Sequence, residues 1–178
     1  MRQLVVTLIS QQARIFELCG DDRRPRARVS VGAPALAALD AFFVAHGGAC
    51  PPSYRAFLNV CDGIENFSYS YHLFGAQDLL SPSYPETSAR ALGTGAGSSR
   101  SSDEGQVLIG SHPETTTTLV IDFLHEQLEH GEFVILDGDP GDVSLHLLFL
   151  AFMRMRIAAN EITIAKLIEV RDGRIDED

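Results

Sequence analysis

The sequence predicts a domain of the α+β class, on three observations. Its 178 residues are enough for one domain with a proper core. Apolar residues recur at helical spacing in separate segments, most clearly Tyr54, Phe57, Leu58 and Cys61 at i, i+3, i+4 and i+7. Between and after these segments lie runs of strand character, beginning with the alternating FSYSYHLF at 67–74.

Over residues 3–18, the first element, Leu4, Leu8, Ile15 and Leu18 stand near helical spacing, whereas the β-branched Val5, Val6, Thr7 and Ile9 favour a strand. Helix is the preferred of the two readings. Next, GDDRRPRARVSVG reads as a charged, proline-containing connector. Pro34 suits the first turn of a second helix; Leu36, Leu39 and Phe43 mark its apolar face, and Gly47-Gly48 stop it. Pro51 and Pro52 open a third helix, which carries the stripe from Tyr54 to Cys61 and is expected to stop at Asp62-Gly63. In FSYSYHLF, Phe67, Tyr69, Tyr71 and Leu73 are expected on one face of a single strand, with Ser68, Ser70 and His72 on the other. GAQDLLSP closes that strand as a short helix or turn.

Residues 81–105 are rich in Ser and Gly and read as a long loop, a feature usually functional or mobile in a compact domain. QVLIG at 106–110, TTTLVIDF at 116–123 and EFVILD at 132–137 are further strand candidates. Asp137-Gly138 and Pro140-Gly141 mark turns. A long apolar helix is expected from Ser144 as its cap, buried on nearly all sides until Arg154. ITIAKLIEV fits helix or strand, and RDGRIDED is a polar tail. Three segments result: a helix and Arg-rich connector at 1–33 packed on the domain, the main domain at 34–170, and the tail at 171–178.

Charge is distributed unevenly. Residues 1–34 hold six Arg and three acids, net +3, whereas residues 35–178 hold eight bases and 21 acids, net −13. From Ser101 to Met153 there are ten acids and no Lys or Arg. Such a surface repels nucleic acid and anionic membrane and attracts a basic partner; simple solubility is the plainer alternative. No apolar run reaches the roughly 18 residues of a membrane span. MRQLVVTLISQQARIF has one early Arg and no small-residue cleavage site after it, and reads as part of the fold rather than a signal peptide. Cys19, Cys50 and Cys61 are odd in number and form no CxxC. Free thiols in a reducing compartment, the cytoplasm, are expected; one disulfide and one free Cys is the alternative.

No motif for catalysis survives inspection. In HEQLEH, His125 and His130 are five residues apart, about 140° around a helix, unsuited to sharing one metal. Asp137, Asp139 and Asp142 resemble the start of a calcium loop, but Leu148 stands where its twelfth position needs Glu. GTGAGSS lacks phosphate-loop spacing, and there is no GxSxG elbow. Cys61 lies on an apolar stripe and reads as core, His72 as a surface or interface residue. No metal or cofactor is expected, and a binding protein is favoured over an enzyme.

PPSYRAFLNVCDGIENF resembles the signature of the SUKH superfamily, which includes fungal cell-wall-synthesis regulators and many bacterial immunity proteins. Pro52, Tyr54, Phe57, Leu58, Asp62 and Gly63 match its pattern, and YHLFGAQDLL, VLIG, LVIDF, FVILD and LHLLFLAFM match its later elements. The resemblance covers residues 34–155. It departs in having no Trp, an Arg-rich lead and a longer 81–105 segment. It implies a curved mixed or antiparallel sheet of about four to six strands flanked by helices. It also implies a non-enzymatic role: neutralising a cognate toxin, often a nuclease or deaminase, by direct binding. One Lys against thirteen Arg fits a GC-rich bacterial source and thus the immunity branch. A basic toxin domain is the partner expected, met by Asp103, Glu104, Glu126, Glu129, Asp139 and Asp142 on the acidic stretch. A regulatory or scaffold domain of the same fold is the alternative, and an enzyme with 81–105 as lid a third.

Overall fold

The structure is a computed structural model that describes residues 1–68, 70–92, 105–112, 117–124, 128–138 and 145–173. Helices α1 (Arg2–Leu18), α2 (Ala33–Ala45), α3 (Pro52–Leu58), α4 (Ala76–Leu79), α5 (Tyr84–Ala91) and α6 (Phe149–Arg171) pack with one sheet. Its strands are β1 (Arg26–Val29), β2 (Cys61–Ser68), β3 (Tyr71–Leu73), β4 (Gln106–Ser111), β5 (Thr118–Asp122), β6 (Val134–Gly138) and β7 (Leu145–Leu147). Every neighbouring pair is antiparallel and the spatial order is the chain order, a meander. The class is α+β, and of the two expected sheet types the antiparallel one is formed. The five strands β2–β6 lie within the expected four to six; the short edge strands β1 and β7 extend the sheet to seven.

Residues 2–18 are helical despite their β-branched content. Val5, Leu8, Gln12, Ile15 and Phe16 form the buried face, so amphipathic spacing prevails over propensity. That face is shifted from the expected stripe: Leu4 and Leu18 are only half-buried. α1 packs along α6 and also touches β2. The connector is not wholly irregular, since it contains β1, whose Arg26, Ala27 and Val29 stand opposite Glu65, Ile64 and Cys61. Segment 1–33 therefore contributes a strand to the same sheet as the main domain. In α2, Leu39 and Phe43 are buried as the spacing predicts, while Leu36 is half-buried against the core.

Tyr54, Phe57 and Leu58 have no exposed surface. The Tyr54 and Phe57 rings lie 5.1 and 5.4 Å from that of Phe149, and the Tyr54 hydroxyl donates to the Phe74 carbonyl at 2.8 Å. The stop signal is corrected. α3 ends at Leu58, Cys61 already opens β2, and Asp62-Gly63 lies inside the strand. The pairing of Cys61 with Val29 ends the helix before the glycine does. FSYSYHLF is likewise two paired strands, not one: Phe67 ends up in β2, Tyr71 and Leu73 in β3, Ser68 stands opposite Tyr71, and Phe67, Tyr71 and Leu73 are buried. Tyr69 lies outside the described residues.

The 81–105 segment is not all loop, because α5 occupies 84–91; residues 93–104 lie outside the described set. All five residues of β5 are buried. The expected start of the last helix also changes. Leu145–Leu147 pair with β6 as β7, α6 begins at Phe149 with Leu148 at its N-cap, and Ser144 lies outside the described residues. Nor is α6 surrounded. Phe149, Phe152 and Met153 face the core while Ala151 and Arg154 are exposed. ITIAKLIEV continues this helix, which runs through Arg171.

Candidate functional site

The Asp62-Gly63 pair is where the fold concentrates its buried polar chemistry. Asp62 is fully buried. Its carboxylate accepts the Ala76 N–H at 2.5 Å and the Gln77 N–H at 3.4 Å, so it caps α4 from a different element. Asp78 closes the same turn from within, accepting the Gly75 N–H at 2.7 Å. Arg28 of β1 links the two: Nε donates to the Asp62 carbonyl at 2.7 Å, Nη1 donates to Asp78 Oδ1 at 2.9 Å, and Nη2 donates to Asp78 Oδ2. The hydrogen bonds to Asp78 hold the Arg28 guanidinium above its already high ordinary pKa.

This convergence leaves no room for a side chain at Gly63, whose φ is +86°. A Cβ there would lie 2.5 Å from the Arg28 guanidinium, 2.6 Å from the Leu73 carbonyl oxygen and 2.8 Å from the Gly75 nitrogen. Arg28 and Asp78 also line a pocket of about 340 Å³, together with Phe74, Gln77, Ser81, Ser83, Tyr84 and Thr87. Its ions are already matched to each other, and Ser81 and Ser83 share a 2.8 Å hydrogen bond. The network fixes α4 against β1 and β2; it does not aim a free acid or base at the pocket.

The buried thiols are unsuited to nucleophilic work. Burial pushes Cys50 and Cys61 up to about 12, so both are protonated at neutral pH, while Cys19 is exposed. All three are free, in line with the first of the two cysteine readings. A thiol-reactive reagent at pH 8 should modify one cysteine per native chain quickly and the other two only after unfolding; three equally fast reactions would contradict the burial of Cys50 and Cys61. His72, half-buried on β3, is lowered by burial, so the neutral ring is favoured.

Of the six acids expected to meet a partner, Asp103, Glu104, Glu126, Asp139 and Asp142 lie outside the described residues, as does His125. Glu129 opens a 3₁₀ turn, Glu129–Gly131, in which His130 takes a φ of +62°. No cluster of three or more metal-ligating side chains occurs among the described residues. Two other acids of the base-free stretch are engaged within the fold. Asp122 is buried and accepts the Leu124 N–H at 2.8 Å. Glu132 accepts the Ser53 N–H and hydroxyl, each at 2.7 Å, at the first turn of α3. Sequence reading missed this second pair because its members are 79 residues apart.

Of the ten acids between Ser101 and Met153, two, Asp122 and Asp137, lie in strands. The Arg-bearing β1 forms one edge, and β4–β7, all from the stretch without Lys or Arg, form the other side. Compared with family models, with curated proteins and with solved structures, the chain matches none.

Proposed function

We infer that the chain is a non-catalytic protein-binding domain of the toxin-immunity kind that the SUKH resemblance implies. It holds a basic toxin domain against the β4–β7 side of its sheet and acts in the cytoplasm. The observation that carries this reading is the side-by-side placement of four consecutive strands without Lys or Arg, with eight of the ten acids of their stretch falling in the sequence before and between them. Nuclease domains present basic clefts to phosphates, and an acidic face both covers such a cleft and speeds encounter. Among the described residues, no helix is long and apolar enough to cross a membrane.

The test is the association rate with a basic toxin domain, sought among the products of the genes adjacent to this one, for wild type and for the triple variant Glu126→Lys, Glu129→Lys and Asp142→Lys. Raising ionic strength from about 0.02 to 0.3 M shortens the Debye length from roughly 20 Å to under 6 Å. The wild-type rate should then fall by roughly tenfold or more. At low salt the triple variant should bind more slowly and depend less on salt, and its unfolding midpoint is measured alongside to separate lost binding from lost fold. Equal rates in all four conditions would reduce the acidic stretch to a solubilising surface. Failure to bind the toxin at all would favour a scaffold domain of the same fold.

A further inference from the structure

We propose that the outer edge of β1 is a second docking site, for an acidic, extended segment of a partner protein that adds to the sheet as a further strand. Among the described residues β1 is the terminal strand, with β2 as its one neighbour. An edge strand offers main-chain donors and acceptors to any chain that can align with it. Ala27 and Val29 are both exposed, Val29 to 87%, and a strand laid beside them would cover apolar surface as well as pair its backbone.

Charge selects the occupant. Of the four arginines from 23 to 28, two are already matched: Arg23 pairs with Asp21 and Arg28 with Asp78. Arg24 and Arg26 are exposed and make no ion pair among the described residues. Arg24 directs Nη1 at the Asp21 and Arg23 carbonyls, and Glu65 stands opposite Arg26 in register without bonding to it. Two exposed cations without an ion-pair contact among the described residues oppose pairing of this edge with the same edge of a second copy, since that would bring like charges together. They favour a strand bearing Asp or Glu. β1 has only four residues, so few main-chain bonds can form and the ion pairs must supply selectivity. This edge is separate from the β4–β7 side and calls for a partner of opposite charge.

The test uses the full chain and two fluorescein-labelled heptapeptides, one alternating Val with Glu and one alternating Val with Lys, with anisotropy as the readout. The Glu peptide should bind and the Lys peptide should not. Arg24→Glu with Arg26→Glu, a surface change whose fold is checked by circular dichroism, should weaken binding about tenfold or more. N-methylating alternate amides of the Glu peptide should abolish binding, because it removes strand donors while keeping every charge. Four results would overturn the proposal: no Glu-peptide binding up to millimolar concentration, equal binding by the double variant, undiminished binding of the N-methylated peptide, or a molecular mass that rises with protein concentration and is lowered by the double variant. The last would assign the edge to a second copy.

Discussion

Replacing Phe57 by Ala should lower the stability of the fold by about 3–5 kcal/mol, among the largest costs expected of a single truncation here. Phe57 has no exposed surface and lies on the face of α3 that meets α6. Its ring stacks on Tyr54 at 5.9 Å and approaches Phe149 at 5.4 Å. Truncation removes the transfer free energy of the ring and leaves a void walled by two other rings. Neither can collapse freely into it: Tyr54 is tied to the Phe74 carbonyl, and Phe149 sits in the first turn of a 23-residue helix. Phe57→Leu, which keeps most of the volume, should cost clearly less. Urea unfolding of the three proteins measures the difference, with a similar denaturant slope expected in each. A cost below about 1 kcal/mol for the Ala variant would mean that α3 does not seat on α6 as described.

The same region marks how far the sequence could be read. Tyr54, Phe57 and Leu58 were legible because their spacing states a buried helical face regardless of what covers it. Asp62-Gly63 was misread because a left-handed glycine after a helix usually terminates it, whereas here its conformation serves a meeting of β2, β3 and the turn before α4. Nothing local distinguishes the two uses. β1 was hidden for another reason: RARV does alternate, but over only four residues just after Pro25, and with two arginines it passes for part of a charged connector. At the other end, LHLLFLAFM is apolar without punctuation, and α6 starts at a Leu with no side-chain cap, so the strand-to-helix break left no mark. The candidate site was less legible still. Arg28–Asp78 and Ser53–Glu132 join residues 50 and 79 apart. The count of ten acids could not show that two of them, Glu132 and Asp122, serve the fold.

Gly63→Ala should destabilise the chain by about 2–5 kcal/mol although it adds only one methyl group. Two costs combine. A left-handed backbone in an L-residue costs roughly 1–2 kcal/mol, and forcing a group into an already packed site costs roughly 1–3 kcal/mol more. The neighbours decide that the second cost is incurred. The Arg28 guanidinium at 2.5 Å is the end of a flexible side chain, but moving it breaks its bonds to Asp62 and Asp78. The Leu73 oxygen at 2.6 Å and the Gly75 nitrogen at 2.8 Å are backbone, and can yield only by shifting β3 or the entry to α4. Gly20→Ala provides the control. Its φ of +67° is also left-handed, yet a Cβ there would meet nothing within 4 Å. It should therefore show the conformational cost alone. Denaturant unfolding of both variants isolates the clash, and adding Arg28→Ala to each should relieve part of the Gly63 cost and none of the Gly20 cost. Equal losses in Gly63→Ala and Gly20→Ala would mean that β2, β3 and the α4 turn do not converge on Gly63 in solution, and the capping of α4 by Asp62 would lose its geometric basis.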